Sequence, residues 1–410
     1  MGRMLWKPSE EQVKRSNMYR FMQIVNRRYE KSFSTYNELY QWSIEHIADF
    51  WKEVWEFVDI QASEPYVRII DDLHKMPGAK WFEGARLNFA QHLLRYRDDR
   101  IALVFKGEEQ PAIRISYATL FDEVARIAAY LKDFGIQPGD RVVGFMPNMP
   151  QTIYAMLAAT SLGAVWSSCS PDFGIKGVLD RFGQIKPRII FTADGYWFKG
   201  KRMDSIERMA GILKELPTVE KVIVVPYTQT DPDIAAIPNA IRYQDVRDKR
   251  NGLDIEFRQL PFDHPLYIMY SSGTTGLPKC MVQSAGGILI HQLKEHILHV
   301  DLHREDTLFY FTTCGWMMWN WLVCGLGVGA TLVLYDGNPF HPGPGALWDM
   351  AQNERITVFG TSAGYLAALQ KSGTRPKDIA DLRPLRAILS TGSPLSIEGF
   401  EFVYDAIKSD

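Results

Sequence analysis

The feature that most constrains the fold is an alternation of short apolar runs with longer amphipathic segments from about residue 100 to residue 390. Ile101–Phe105 and Ile113–Ser116 read as paired strands, and Tyr117–Phe134 reads as a helix ended by Gly135. The strand Val142–Met146, a helix over Pro150–Leu162, the strand Ala164–Ser168, a helix over Lys176–Ile185 and the strand Arg188–Thr192 follow. After a Pro- and Asp-rich connection near Tyr227–Pro238, a second block begins, with strands Leu266–Tyr270, Thr307–Phe311, Ala330–Leu334, Thr357–Phe359 and Ala387–Ser390. Strands that alternate with helices predict an α/β fold with a mainly parallel sheet covered by helices.

Upstream of this the pattern differs. Tyr36, Leu39, Tyr40, Trp42, Ile47, Phe50, Trp51, Val54, Trp55 and Phe57 recur at three- and four-residue steps, which predicts amphipathic helix docked on a larger body. The expected division is an amino-terminal helical cap over residues 1–95, a first α/β unit over 96–240 and a second, incomplete one over 241–410. Phe400–Asp410 reads as a helix in progress, without Gly, Pro or polar tail, so truncation is the expectation there.

With 46% hydrophobic residues and a formal charge of −2, the 410-residue chain can fill a large core and shows no bulk attraction to nucleic acid or to an anionic membrane. No apolar run reaches the roughly 20 residues that span a bilayer, and the first residues carry no signal-peptide pattern. The cytoplasm is the expected compartment. Cys169, Cys280, Cys314 and Cys324 lack CxxC spacing and read as thiols of a reducing environment. His291, His296, His299 and His303 cluster in sequence. Only the last two are four apart, and no HExxH surrounds them, so no metal site is expected.

The chemistry is carried by Tyr270-Ser271-Ser272-Gly273-Thr274-Thr275-Gly276-Leu277-Pro278-Lys279, which follows the apolar strand Leu266-Tyr267-Ile268-Met269. Small residues let backbone N–H groups close around an anion. The hydroxyls add neutral donors, and Lys279 adds a positive charge. The GxxxxGK[ST] spacing is absent: Gly273 and Gly276 are three apart, Pro278 precedes the lysine and Cys280 follows it.

This decapeptide resembles the nucleotide-phosphate loop of the adenylate-forming enzymes, which include acyl-CoA synthetases, luciferases and peptide-synthetase adenylation domains. Other stretches extend the resemblance. Residues 117–174 look like the first half of that family's large domain, where Gly139-Asp140-Arg141 reads as a structural turn. Thr313-Cys314-Gly315-Trp316-Met317-Met318-Trp319 resembles the aromatic motif beside the acyl pocket. Ser390-Thr391-Gly392-Ser393-Pro394-Leu395 resembles the turn bordering adenine, with Ser393 where glutamate is usual. Gly195-Tyr196-Trp197-Phe198-Lys199-Gly200-Lys201-Arg202 is similar to a basic loop of the acyl-CoA synthetase branch. Trp81-Phe82-Glu83-Gly84-Ala85-Arg86-Leu87-Asn88 looks like the lead-in of the subfamily that activates acetate and acetoacetate.

The resemblance implies two stacked, mainly parallel sheets flanked by helices, with a carboxy-terminal part missing. It implies ATP, coenzyme A and a short acid such as acetoacetate as substrates. Ser271, Ser272, Gly273, Thr274, Thr275, Gly276 and Lys279 would cradle the triphosphate, with Thr275 and Lys279 nearest the chemistry. Gly392, Ser393 and Pro394 would border adenine. Trp316, Met317, Met318 and Thr391 would line the acyl pocket, and Lys199, Lys201 and Arg202 would meet coenzyme A. In the family, the Mg²⁺ ligand, the ribose aspartate and the adenylation lysine follow the stretch where this chain stops, so the 410 residues are expected to be inactive alone. A non-catalytic scaffold, or an adenylating enzyme with another acyl acceptor, are the alternative readings.

Overall fold

The computed structural model describes residues 4–108, 110–248, 254–271 and 276–409. Two sheets dominate. Seven strands run in the order Ala240–Arg242, Lys221–Val225, Ile189–Ala193, Arg141–Phe145, Val165–Cys169, Pro265–Ser271 and Lys279–Ser284, all parallel except the last, which closes an antiparallel hairpin. Six strands form the other sheet in the order Ala387–Thr391, Val358–Ser362, Thr307–Tyr310, Thr331–Asp336, Ile101–Gly107 and Ile113–Ser116, again with an antiparallel pair at one edge.

Adjacent side chains on each strand face opposite layers, as the two-residue period of a strand requires. Leu103, Leu308 and Leu332 of the six-stranded sheet and Val142, Ile189 and Ile223 of the seven-stranded sheet share one core. Their neighbours Val104, Phe309 and Val333 pack outward around Trp348 and Leu366, and Val143, Ile190 and Val222 pack outward around Phe182 and Met209. Strands apolar on both faces are what a sheet covered by helices on both sides demands. The helix Pro150–Ser161 belongs to the shared core and is buried almost all round, which its run of Ala, Met, Leu and Ile permits. Pro150 opens it at a position where a backbone N–H is not missed.

The strand and helix limits read from the sequence hold to within a few residues, but sheet membership crosses the expected boundary at residue 240. The strands at 101–107 and 113–116 join the six-stranded sheet, and those at 265–271 and 279–284 complete the seven-stranded one. Hydrogen-bond pairing, not chain order, assigns a strand to its sheet.

Gly139-Asp140-Arg141 is the structural turn expected. Gly139 has φ +87°, and the Arg141 guanidinium donates to the carbonyls of Ile185 at 2.6 Å and Lys186 at 2.9 Å, fastening the end of the helix Ile175–Ile185. In the amino-terminal layer, helices Tyr36–Glu45 and Ile47–Phe57 bury Leu39, Trp42, Val54 and Trp55 and leave Tyr36 and Tyr40 exposed. Thr35 and Glu38 form a capping box at the first of them.

The helix expected to be still in progress at Phe400–Asp410 instead ends. A regular turn over Ile397–Phe402 widens into a π-helical turn at Val403–Ile407, and Lys408 is extended, its N–H bonded to the Val403 carbonyl. Arg375, just before the short helix Pro376–Ile379, pairs with Asp405 at 2.7 Å and holds this last turn.

Candidate functional site

The described ends of the glycine- and hydroxyl-rich segment, Ser271 and Lys279, belong to the paired strands at the edge of the seven-stranded sheet. Ser271 and Lys279 stand opposite each other in its ladder, so Lys279 opens a strand and does not belong to a helix. Ser272, Gly273, Thr274 and Thr275 lie outside the described residues. Gly276 has φ +91°, a left-handed conformation that favours glycine, and no described residue lies within 4 Å of where a Cβ would stand. Gly276, Leu277 and Lys279 are exposed, and the Pro278 carbonyl accepts a 2.9 Å hydrogen bond from Gln184. At the foot of the hairpin, Ser167 Oγ donates to the Ile268 carbonyl at 2.8 Å and lies 3.1 Å from the Tyr270 hydroxyl. Burial pushes the Tyr270 phenol well above its ordinary value, so it stays neutral. The Arg181 guanidinium lies 4.7 Å from the Phe173 ring and 5.6 Å from the Tyr270 ring.

Beside this hairpin stands the aromatic motif. Trp316 precedes the helix Met317–Cys324 and is 64% exposed, an unusual position for a tryptophan. Its neighbours are anchored: Trp319 Nε1 donates to Asn148 Oδ1 at 2.9 Å, Ser168 Oγ donates to the Cys314 carbonyl at 2.6 Å, and Cys314 Sγ donates to the Met146 carbonyl at 2.7 Å. A cleft of about 490 Å³ is lined by Tyr270 and Met281 of the hairpin, Trp316 and Met317, and His291 from the helix Ala285–Lys294. Met318 is half-buried against the shared core and is not among the residues lining the cleft.

Thr391 ends an edge strand, exposed and paired with Ser362. Gly392 follows at φ +90°, where a Cβ would stand 3.8 Å from Ser362 Cβ. Ser393 and Pro394 line a different cleft of about 430 Å³, against Ile388, Phe400 and Tyr404. Thus Trp316 and Met317 share a cleft with the foot of the Ser271–Lys279 hairpin, whereas the residues expected at adenine do not line that cleft.

The basic stretch is a β-hairpin, Gly195–Phe198 paired with Lys201–Asp204. Lys199 (φ +54°) and Gly200 (φ +70°) make its two-residue turn, the left-handed conformation that such hairpins favour. Lys199, Lys201 and Arg202 are exposed, and Arg202 is tied to Thr228 Oγ1 at 3.0 Å and to Asp204 at 3.3 Å. Beneath the hairpin lies Asp336, half-buried overall but with its Oδ2 shut off from solvent near the Tyr227 phenol and the Trp197 N–H. Burial pushes its carboxyl up to about 7. Glu108 is buried there too and accepts three backbone N–H bonds. No motif marked Glu108, Asp336 or Asn320, whose buried Oδ1, beside Gly315, has no hydrogen-bond partner among the described residues. Their partners lie too far along the chain for spacing to reveal them.

Of the histidines, His296 is buried with Nε2 2.7 Å from the Trp321 carbonyl, and burial lowers it to about 4, so it is neutral. His291 and His299 are also shifted down by burial. Among the described residues, no group of three or more His, Cys, Asp or Glu is arranged to hold a metal ion, and no helix is long and apolar enough to cross a membrane.

Two stacked α/β sheets bearing a Ser/Thr/Gly hairpin beside an aromatic wall define the class: the chain belongs to the AMP-binding enzyme family, which it matches over residues 89–409. Residues 36–93 match the acetyl-coenzyme A synthetase N-terminus. Among curated relatives, the acetoacetyl-CoA synthetases of Danio rerio and Rhizobium meliloti (strain 1021) are 44% and 47% identical, each over 100% of this chain and 62% of the relative. The malonamoyl-CoA synthetase vrtB of Penicillium aethiopicum is 37% identical over 99% of this chain and 60% of its own length. The solved structure of acetoacetyl-CoA synthetase from Streptomyces lividans superimposes with a TM-score of 0.94 at 41% identity, covering 99% of this chain and 62% of that one. The chain therefore spans less than two thirds of the length of these relatives.

Proposed function

We propose that this chain is the nucleotide- and acyl-binding part of an ATP-dependent acid–CoA ligase acting on a short 3-oxo acid, with acetoacetate the first choice. The observation that carries the reading is the cleft shared by the foot of the Ser271–Lys279 hairpin and the exposed Trp316. A triphosphate over the hairpin tip and a small acyl group against Trp316 and Met317 would meet in one space. The acyl groups named in the relatives, acetoacetyl and malonamoyl, both carry a carbonyl at carbon 3.

In the proposed reaction a carboxylate oxygen bonds to the α-phosphorus of ATP, the bond from that phosphorus to the β-phosphate bridging oxygen breaks, and pyrophosphate leaves. The thiol sulfur of coenzyme A then bonds to the acyl carbon. AMP leaves and the thiol proton goes to solvent. Both steps gather negative charge on phosphate oxygens, which fixed N–H groups, hydroxyls and a cation stabilise. Ser271, Ser272, Gly273, Thr274, Thr275, Gly276 and Lys279 take that role in this reading, with Thr275 and Lys279 as catalytic residues. Trp316, Met317, Met318 and Thr391 shape the acyl site, Thr391 donating to a 3-oxo oxygen. Gly392, Ser393 and Pro394 border adenine, and Lys199, Lys201 and Arg202 grip coenzyme A. Mg²⁺ would screen phosphate charge; no described residue is assigned to it and no step is routed through it.

The test is ATP–pyrophosphate exchange by the product of the complete reading frame, across acetate, propionate, 3-hydroxybutyrate, acetoacetate and malonamate. Exchange led by the 3-oxo acids and reduced roughly 100-fold or more in Lys279→Ala is expected, the scale of removing one charge-stabilising donor. Acid-independent exchange, or none from folded protein, would contradict the reading.

A further inference from the structure

Glu108 lies one residue beyond the strand Ile101–Gly107, 7% exposed, in a place the proposed chemistry does not use. Its Oε1 accepts the Lys199 N–H at 2.8 Å and the Asn338 N–H at 2.6 Å, and its Oε2 accepts the Gly200 N–H at 2.7 Å. One carboxylate thus gathers both N–H groups of the basic hairpin's turn and one from the loop after the strand Thr331–Asp336. The consecutive left-handed residues Lys199 and Gly200 turn their N–H groups to one side, forming a concave nest that suits an anion. An ionised carboxylate accepts only, with room for several donors, and such charge-assisted bonds are about twice as strong as neutral ones.

The surroundings are shaped to admit this side chain. At Gly337, φ is +146° and a Cβ would stand 2.3 Å from Glu108 Cγ, so any side chain there would displace the carboxylate. The turn that carries Lys199, Lys201 and Arg202 is therefore fastened from below by the six-stranded sheet, while its cations stay exposed.

We propose that Glu108 is the positioning residue of the thiol-transfer step: by fixing the Lys199–Gly200 turn it sets where the hairpin's cations meet the phosphates of coenzyme A. This rests on the assignment of Lys199, Lys201 and Arg202 given above. The test uses the complete protein with Glu108→Ala, Glu108→Gln and Lys201→Ala. Glu108→Ala should raise KM for coenzyme A about tenfold or more, the effect of misplacing a binding loop, while ATP–pyrophosphate exchange and KM for ATP hold. Glu108→Gln, which keeps one carbonyl acceptor, should recover part of the loss. Amide hydrogen exchange at Lys199 and Gly200 should accelerate in Glu108→Ala.

Unchanged amide protection at 199 and 200, or equal losses in pyrophosphate exchange and in coenzyme A turnover, would overturn the proposal. Should Glu108→Ala misfold, Glu108→Gln carries both measurements. Lys201→Ala separates the two layers of the argument. If it leaves KM for coenzyme A unchanged while Glu108→Ala still frees the amides, the coenzyme A assignment fails and takes the proposed role with it. If Lys201→Ala raises that KM and Glu108→Ala does not, only the positioning role fails.

Discussion

Buried carboxylates beneath the basic hairpin show how one side chain's surroundings decide its charge. Asp336 is raised from an ordinary 3.8 to about 7, first by desolvation and further by Glu108 and Asp172, while the Tyr227 phenol and the Trp197 N–H oppose the shift. A folded-state value above the unfolded one means that the native protein favours the protonated acid. The associated stability is full below about 3.8 and is lost as pH rises through about 7, at about 1.4 kcal/mol per pH unit for a single group. Asp336→Asn, which cannot ionise, should therefore gain on the wild type as pH rises. In thermal melts its Tm relative to wild type should be higher at pH 8 than at pH 5, and an equal difference at both would contradict the assignment. Nothing in the sequence near Asp336 marks it, because its burial comes from elements more than a hundred residues away. Ser271, Lys279 and Trp316 were legible for the opposite reason: a run of Gly, Ser and Thr closed by a lysine, and an aromatic motif downstream of it, are local signals.

At the level of helices and strands, sequence and structure agree wherever burial is continuous. Ile189–Ala193 is buried at every position, and its Ile-Ile-Phe-Thr-Ala run declares it. Agreement fails where a boundary has no composition to mark it. The break at His46 between Tyr36–Glu45 and Ile47–Phe57 lacks Gly or Pro, and the π-helical turn at Val403–Ile407 ends on a lysine. A buried side-chain bond ties the helix of the aromatic motif to the opposite sheet: Trp319 Nε1 donates to Asn148 Oδ1, just beyond the strand Arg141–Phe145. Trp319→Phe keeps most of the buried ring but strands that carbonyl, at a cost of about 1–3 kcal/mol. Denaturant titration should show that loss, and Trp319→Phe with Asn148→Leu should recover part of it. No recovery in the double variant would place the cost in packing instead.

For the molecule as a whole, the order of strands along the chain did not reveal which sheet each joins, because pairing partners such as Leu103 and Leu332 are separated by more than two hundred residues. What that arrangement produces is a chemical claim. The edge hairpin of one sheet and the aromatic motif that follows a strand of the other border a single cleft, and in the function proposed above it is there that a carboxylate is activated as an adenylate. Transfer of label from acetoacetate carrying ¹⁸O in its carboxylate, followed by mass spectrometry of the products of the complete protein, tests this most directly. One ¹⁸O should appear in AMP for each thioester formed. Label in orthophosphate alongside ADP would mean that the acid attacks the terminal phosphate, and would contradict the account.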